Sequence, residues 1–341
     1  MDAAPKYDLP RLRPRRRRLA AAPNTRLVPS DGPFATVDDV AELGARLRAN
    51  VQAKVRMGEE TLGVVLATLF AGGHLLVEDH PGVGKTTLAR TLASSLDGRF
   101  SRVQATVDLL PTDVLGASIW RPETAAFDFI AGPVFANVVL VDELNRATPK
   151  TQSGLLEAMQ ERQVTVDGQS RRLPAPFIVI ATQNPTAGLD GTHPLPPAQL
   201  DRFMTRVSLG YPTAEQQVAL LRGGEDRPVA PVTDPAQLLA AQAAVARVHA
   251  SDALLRYVVR LLEATREHPL ADVGASPRAG VLLLAAARGR AALARRDYVV
   301  PDDVQALVEP VLAHRIESSA VTVPGARAGL IADVVARVPA R

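Results

Sequence analysis

The chain has 341 residues, 47% of them apolar, 22% charged and 4% aromatic, which fits one large globular unit or two medium domains and excludes a disordered or fibrous protein. The formal charge of +3 belongs to the N-terminus: the first 26 residues hold eight Lys/Arg against two Asp, a contribution of +6, and the remainder is therefore at −3. Cysteine is absent, so disulfides, thiolate metal sites and cysteine nucleophiles are excluded, and the expected setting is cytoplasmic.

Residues 1–35 carry six prolines among arginines, a composition that buries too little apolar surface to offset chain ordering, and a disordered tail is expected there. Arg15–Arg18 lead into Leu-Ala-Ala-Ala-Pro rather than an apolar core, so this stretch is not read as a secretory signal. Thr36 can cap a helix in which Val37, Val40, Leu43, Leu47, Val51 and Val55 recur at spacings of three and four, and a second helix follows over about 59–71. The apolar stretch Leu62–Val77 is broken by Gly63, Gly72, Gly73 and His74 and is too short to span a bilayer.

From there to about 210, short apolar runs alternate with helical periods, the pattern of a parallel sheet covered by helices. The runs are His74–Val77, Val138–Val141 and Phe177–Ala181, with weaker ones near 101–105 and 205–209. Asp167-Gly168 suits a two-residue turn between extended arms. After Pro212 no strand is predicted, and helix starts fall at Thr213 with Gln216, Asp234-Pro235, Ser276-Pro277 and Pro301-Asp302.

The first strand runs directly into Asp79-His80-Pro81-Gly82-Val83-Gly84-Lys85-Thr86-Thr87 and then into a helix. Two glycines at a strand-to-helix turn let backbone N–H groups encircle phosphate oxygens where the helix dipole favours an anion. In such a loop Lys85 reaches the β- and γ-phosphates and the Thr86 hydroxyl ligates Mg²⁺, although Asp79 stands where the strict GxxxxGK[ST] pattern has its first glycine.

Fifty-seven residues after Lys85, the run Val138–Val141 ends in Asp142-Glu143. Two adjacent acids at a strand's carboxyl end are tolerable beside a cation: Asp142 suits the Mg²⁺ shell and Glu143 the general base that polarises water. The third run leads to Asn184, at the edge where ligands of open α/β sheets bind, and its amide suits orientation of that water or contact with the γ-phosphate. Arg202 fits either a carboxylate partner or an arginine finger. Arg278 lies just inside a helix start, where a cation opposes the dipole unless a phosphate is near.

These blocks, with Leu155–Arg162 and Leu195–Phe203, resemble the MoxR family of AAA+ ATPases over about residues 36–340. Leu144 stands where the family commonly has isoleucine. The resemblance implies an α/β P-loop core with a five-stranded parallel sheet over 36–211 and an all-helical lid over 212–341. It implies ATP and Mg²⁺ as ligands, bound by residues 79–87 and Arg278, with Thr86 and Asp142 as metal ligands. Lys85 and Thr86 belong to Walker A, Asp142 and Glu143 to Walker B, Asn184 is sensor 1, Arg202 a finger acting on a neighbouring subunit, and Arg278 sensor 2. The implied partners are further copies of the chain, in a hexameric ring, and a von Willebrand factor A-domain protein that supplies its own metal-ion-dependent adhesion site. Segment 115–135, with Gly116, Trp120, Phe127 and Phe129, resembles the insertion in helix 2 of this branch, and its aromatics fit either core packing or an exposed hairpin.

The implied activity is ATP hydrolysis in the service of a chaperone-like remodelling or maturation step. Two other motor roles share the core. A nucleic-acid motor would use Arg11, Arg13 and Arg15–Arg18, but a charge run with one aromatic, Tyr7, reads as a solvated tail. A chelatase-type subunit for metal insertion has a similar core, while the six histidines here show no ligand spacing. A small-molecule kinase is disfavoured, because Asp142, Glu143 and Asn184 are arranged for water rather than an acceptor hydroxyl.

Overall fold

The computed structural model describes residues 36–79, 82–183, 193–211, 213–221, 229–320 and 326–340. Helix α1 (Val37–Lys54) opens on a capping box, with the Thr36 hydroxyl accepting from the Asp39 N–H and the Asp39 carboxylate accepting from the Thr36 N–H. Helix α2 (Glu59–Phe70) follows, then strand β1 (Leu75–Glu78), helix α3 (Lys85–Ser95) and strand β2 (Phe100–Gln104). A short helix α4 (Pro111–Leu115) leads into a hairpin of β3 (Gly116–Arg121) and β4 (Ala126–Ala131). Strand β5 (Val138–Asp142), a 3₁₀ turn at Leu144–Arg146 and helix α5 (Pro149–Glu161) come next. A second hairpin, β6 (Gln163–Val166) with β7 (Gln169–Arg172), turns at Asp167-Gly168, both at positive φ as a two-residue I′ turn requires.

Strand β8 (Ile178–Gln183), helix α6 (Pro197–Leu200) and strand β9 (Thr205–Val207) complete the sheet region. The sheet is parallel, five-stranded and ordered β2-β5-β8-β1-β9. Register sets Gln104 beside Asp142 and Glu78 beside Gln183, so one edge collects the carboxyl ends of the central strands. All five residues of β5 are buried. They alternate between two apolar layers: Val138 and Leu140 face α1, α2 and α3, while Val139 and Val141 face α5.

The rest is helical: α7 (Ala214–Leu221), α8 (Pro235–Ala246), α9 (Asp252–Arg266), α10 (Pro277–Leu293), α11 (Pro301–Leu312) and α12 (Ala326–Arg337), with a 3₁₀ turn at Ala313–Arg315. Asp234, Ser251 and Ser276 accept from backbone N–H groups three residues on, and Pro follows two of these caps. Sequence reading missed the Ser251 start because no proline marks it. Helix α10 packs directly on α2: a Cβ at Gly289 would come within 2.7 Å of the Ala67 carbonyl oxygen. No strand follows β9 among the described residues, and no described helix is long and apolar enough to cross a membrane.

The structure decides the question left open for the aromatic insertion. Trp120 and Phe127 stack edge to face with ring centroids 5.2 Å apart, and both stand out in solvent on the β3–β4 hairpin. Phe129 is half-buried, packed edge to face with Phe135 and covered by the Arg171 guanidinium at 4.0 Å.

Candidate nucleotide site

The loop after β1 shows why two glycines stand where they do. Gly82 and Gly84 have φ of +87° and +97°, a region that costs an L side chain, and nothing lies within 4 Å of a Cβ built at Gly82. Between them Val83 is buried in the core, so its side chain anchors the loop while the backbone at Gly82 stays open. Gly84 is the N-cap of α3, which makes Lys85, Thr86 and Thr87 the first turn of that helix. The first N–H groups of a helix have no acceptor one turn back and carry the positive end of its dipole. Beside this turn lies a cavity of about 330 Å³ whose lining includes Lys54, Thr86, Thr87 and Arg90. His80 and Pro81 lie outside the described residues.

Lys85 folds back, its Nζ donating to the Asp79 carbonyl at 2.8 Å. Burial lowers its pKa below the ordinary lysine value, and the negative charges of Asp79, Asp142 and Glu143 oppose that shift. Asp79, read from the sequence as one more phosphate-loop residue, turns its carboxylate to the segment after β9. One oxygen accepts from the Ser208 hydroxyl (3.1 Å) and from the Leu209 and Gly210 N–H groups (2.6 and 3.0 Å).

Asp142 and Glu143 close β5. The Asp142 carboxylate is 9% exposed and pairs with Arg102 on β2, which reaches one oxygen through Nε and Nη2, each at 2.7 Å. The Thr182 hydroxyl lies 3.3 Å from the other oxygen and accepts from the Glu143 N–H at 2.9 Å. Glu143 has φ of +55°, an uncommon conformation for a residue with a side chain, and the chain turns there into the 3₁₀ segment. Its carboxylate accepts from Gln104 Nε2 (3.3 Å) and Arg146 Nε (3.1 Å) and stays one-third exposed. Gln152, fully buried on α5, fixes this turn by donating to the Leu144, Ala147 and His193 carbonyls.

Arg102, Gln104, Thr182 and Gln152 were not found by sequence reasoning. The first two sit on the weakly patterned strand β2 and gain meaning only from its pairing with β5. Asn184 lies outside the described residues, directly after the end of β8.

A second cluster joins the helical region to the sheet. Asp201 accepts from Arg315 Nε at 2.8 Å on one oxygen, and its other oxygen lies 3.6 Å from Arg278 Nε. Arg315 is buried and also donates to the carbonyls of Phe203 and Met204, whereas Arg278, at the first turn of α10, is 43% exposed. His314 Nε2 lies 2.7 Å from Arg315 Nη1 and 3.3 Å from the Phe203 carbonyl oxygen, so a guanidinium and a carbonyl meet on one ring nitrogen. Burial and the Arg315 charge drive the His314 pKa well below the ordinary histidine value. Arg202, next in the chain, donates to the Ala198 carbonyl and pairs with no carboxylate among the described residues. Arg315 was missed from the sequence: a lone arginine in an Ala-His-Arg-Ile stretch carries no local signal.

Comparison with known proteins agrees with this arrangement. The family model described as ATPase family associated with various cellular activities (AAA) matches residues 74–205, and that of the AAA lid domain matches residues 263–332. Chaperone MoxR1 of Mycobacterium tuberculosis is 44% identical over 263 residues, 74% of this chain and 70% of that protein. The uncharacterized protein YeaC of Bacillus subtilis is 45% identical over 268 residues, 77% of this chain and 83% of that protein. A solved structure described as an ATPase from Cytophaga hutchinsonii superposes with a TM-score of 0.78 at 33% identity, covering 89% of this chain and 97% of that one. A glycine turn after β1, paired acids at the end of β5 across the intervening β8, and a helical lid tied to the sheet thus occur together in a chain that belongs to the MoxR family of AAA ATPases.

Proposed function

We propose that the chain hydrolyses ATP in an oligomeric ring and uses the cycle to remodel or mature a partner protein. The observation that carries this reading is the meeting of Lys85, Asp142 and Glu143 at one sheet edge, beside a glycine turn with room for phosphates. The residues fit the ligand: the first-turn N–H groups of α3 and the Lys85 ammonium suit phosphate oxygens, and the Thr86 hydroxyl with the Asp142 carboxylate suits Mg²⁺, a hard cation that takes oxygen ligands. Mg²⁺ held there would neutralise charge on the β- and γ-phosphates.

Within this reading Glu143 takes a proton from the attacking water. Its two side-chain donors orient the partly exposed carboxylate, and its positive φ turns the chain off the end of β5. Asn184 is assigned to orient the same water. Arg278 is assigned to a phosphate across the sheet–lid junction: with Arg315 it shares a single carboxylate, which leaves one excess positive charge at the start of α10. Arg202, free of any carboxylate among the described residues, is assigned to a neighbouring subunit's site, in a hexamer. By family membership the proposed partner is a von Willebrand factor A-domain protein in the cytoplasm, with the β3–β4 hairpin facing the ring channel or that partner. Nucleic acid is not among the proposed partners.

The test compares Glu143→Gln with Lys85→Ala in MgATP hydrolysis across protein concentration. Removal of a general base is expected to lower kcat by about 10²–10⁴-fold with nucleotide still bound, whereas Lys85→Ala loses binding. Wild-type turnover by Glu143→Gln sinks the base assignment, and activity per subunit independent of concentration sinks the ring. ATP-held Glu143→Gln should retain a von Willebrand factor A-domain protein from native lysate that Lys85→Ala does not. Retention of nucleic acid would move the chain to the motor class.

A further inference from the structure

Asp79 occupies a position where a strict phosphate-loop motif has glycine, yet its backbone does not need one: Asp79 is not among the residues at positive φ. The residue is 4% exposed, and both its backbone and its side chain are hydrogen-bonded. The Asp79 N–H donates to the Gln183 carbonyl at 3.3 Å, at the end of β8 and one residue before Asn184. Its carbonyl accepts from Lys85 Nζ at 2.8 Å. Its carboxylate gathers Ser208, Leu209 and Gly210, the segment that leaves β9 toward the helical region.

Three elements that a nucleotide would touch or move therefore meet on one residue. We propose that Asp79 is a positioning residue that couples Lys85 and the end of β8 to the segment leading into the lid, so that phosphate binding is transmitted to residues 208–211. This rests on the reading of the glycine turn as a nucleotide site.

The coupling follows from how the two bonds share one rigid unit. When Lys85 turns from the Asp79 carbonyl to a phosphate, that carbonyl loses its donor and the adjoining peptide is released from one of its constraints. The carboxylate of the same residue is a charged acceptor for two backbone N–H groups, and such bonds are short and strong. Motion of Asp79 is then carried to Leu209 and Gly210 rather than lost in the loop. Gly210 has φ of +71°, so the segment bends immediately after this anchor. On the edge strand, Arg206 pairs with Glu78 at 2.9 Å and Glu78 accepts from Gln183 at 3.1 Å, which holds β9 to β1 and leaves the following residues as the part able to respond.

Hydrogen exchange on the full chain, with MgADP as the probe, tests the proposal. In the wild type, saturating MgADP is expected to change exchange at Leu209 and Gly210 by about tenfold, since local opening free energies shift with ligand contacts. In Asp79→Gly the two rates should converge while MgADP still saturates the protein. Asp79→Asn keeps the shape and one neutral acceptor, and the nucleotide effect should shrink to about threefold, because bonds to a neutral acceptor are roughly half as strong. Should Asp79→Gly fail to fold, Asp79→Asn decides. A wild-type response in whichever variant folds overturns the coupling. Lys85→Ala separates the two claims: if the wild type does not bind MgADP, or Lys85→Ala binds it equally well, the nucleotide reading falls and the coupling with it. If wild-type binding depends on Lys85 and the response survives at residue 79, only the coupling falls.

Discussion

Asp142 and Asp201 are both aspartates paired with an arginine, and the two pairs serve opposite ends. At the sheet edge, Arg102 approaches Asp142 from a side chain that is 48% exposed, so water competes for the guanidinium and the pair can be exchanged for another cation. At the lid junction, Arg315 reaches Asp201 from a side chain that is 3% exposed, with backbone carbonyls taking its other N–H groups. Such a charge has no alternative partner, and removing its counter-ion strands it. The same ion-pair chemistry gives a replaceable contact in one place and a fixed joint in the other, and burial of the cation makes the difference.

The comparison can be broken first at the joint. Arg315→Ala should destabilise the fold by about 3 kcal/mol, the lower end for a broken buried pair because Asp201 keeps some solvent and Arg278. Urea unfolding measures the loss, and proteolysis should cut the segment between β9 and α8 before the sheet region. A change under about 1 kcal/mol would mean that Arg315 is no joint.

Acid is the next largest lever. His314 beside Arg315 and His74 beneath the sheet are both buried and neutral, and His74 is pushed down to about 3 by burial and by the Arg162 charge. His74 donates from Nε2 to the Met159 carbonyl and accepts the Val179 N–H on Nδ1, so protonation would break a satisfied pair. The unfolded chain binds a proton at each of these sites below about pH 6.5 while the folded chain does not. Stability is thus complete above that pH and declines as pH falls toward 3, by about 2 kcal/mol at pH 5 for His74 alone. Thermal unfolding from pH 7.5 to 5 reads the slope. His74→Gln, which keeps a donor and an acceptor without titrating in that range, should flatten it.

The smallest effect is expected at the sheet edge. Arg102→Ala should cost only about 1 kcal/mol of stability, the discount following from the exposure of Arg102. Its signature is functional: Asp142 no longer has to leave a guanidinium, and half-maximal activity should need several-fold less Mg²⁺. Arg315→Ala should leave the Mg²⁺ dependence unchanged, and a shift there equal to that of Arg102→Ala would erase the distinction between the pairs.

The contrast also marks what could be read from the chain. Strands β1, β5 and β8 were legible because central parallel strands are apolar on both faces, and a short run such as Val138–Val141, bounded by Asn137 and Asp142, suits one. The glycine turn and the acids at the end of β5 were legible because their chemistry is local: each needs particular residue types at adjacent positions. The hairpin at Asp167-Gly168 was legible for the same reason. Arg102 and Gln104 were not, since forty residues of chain separate Arg102 from Asp142 and only strand pairing brings them together. Asp79 was placed in the right loop, but the partners of its carboxylate lie 129 to 131 residues away. The exposure of Trp120 and Phe127 was likewise undecidable from composition, because aromatic pairs look alike in a core and on a hairpin.

By itself, then, the sequence determined the parallel sheet, the glycine turn after β1, the two acids at the end of β5 and the family, all of which rest on short-range patterns of apolarity, backbone freedom and adjacent charge. Tertiary structure alone decided which cation faces which carboxylate, that Glu143 adopts a left-handed backbone, and that Asp79 ties the loop to the segment leaving β9. Ion pairs and carboxylate clasps depend on distances of about 3 Å between residues far apart in the chain, and local patterns carry no information about such distances until the strands are in register.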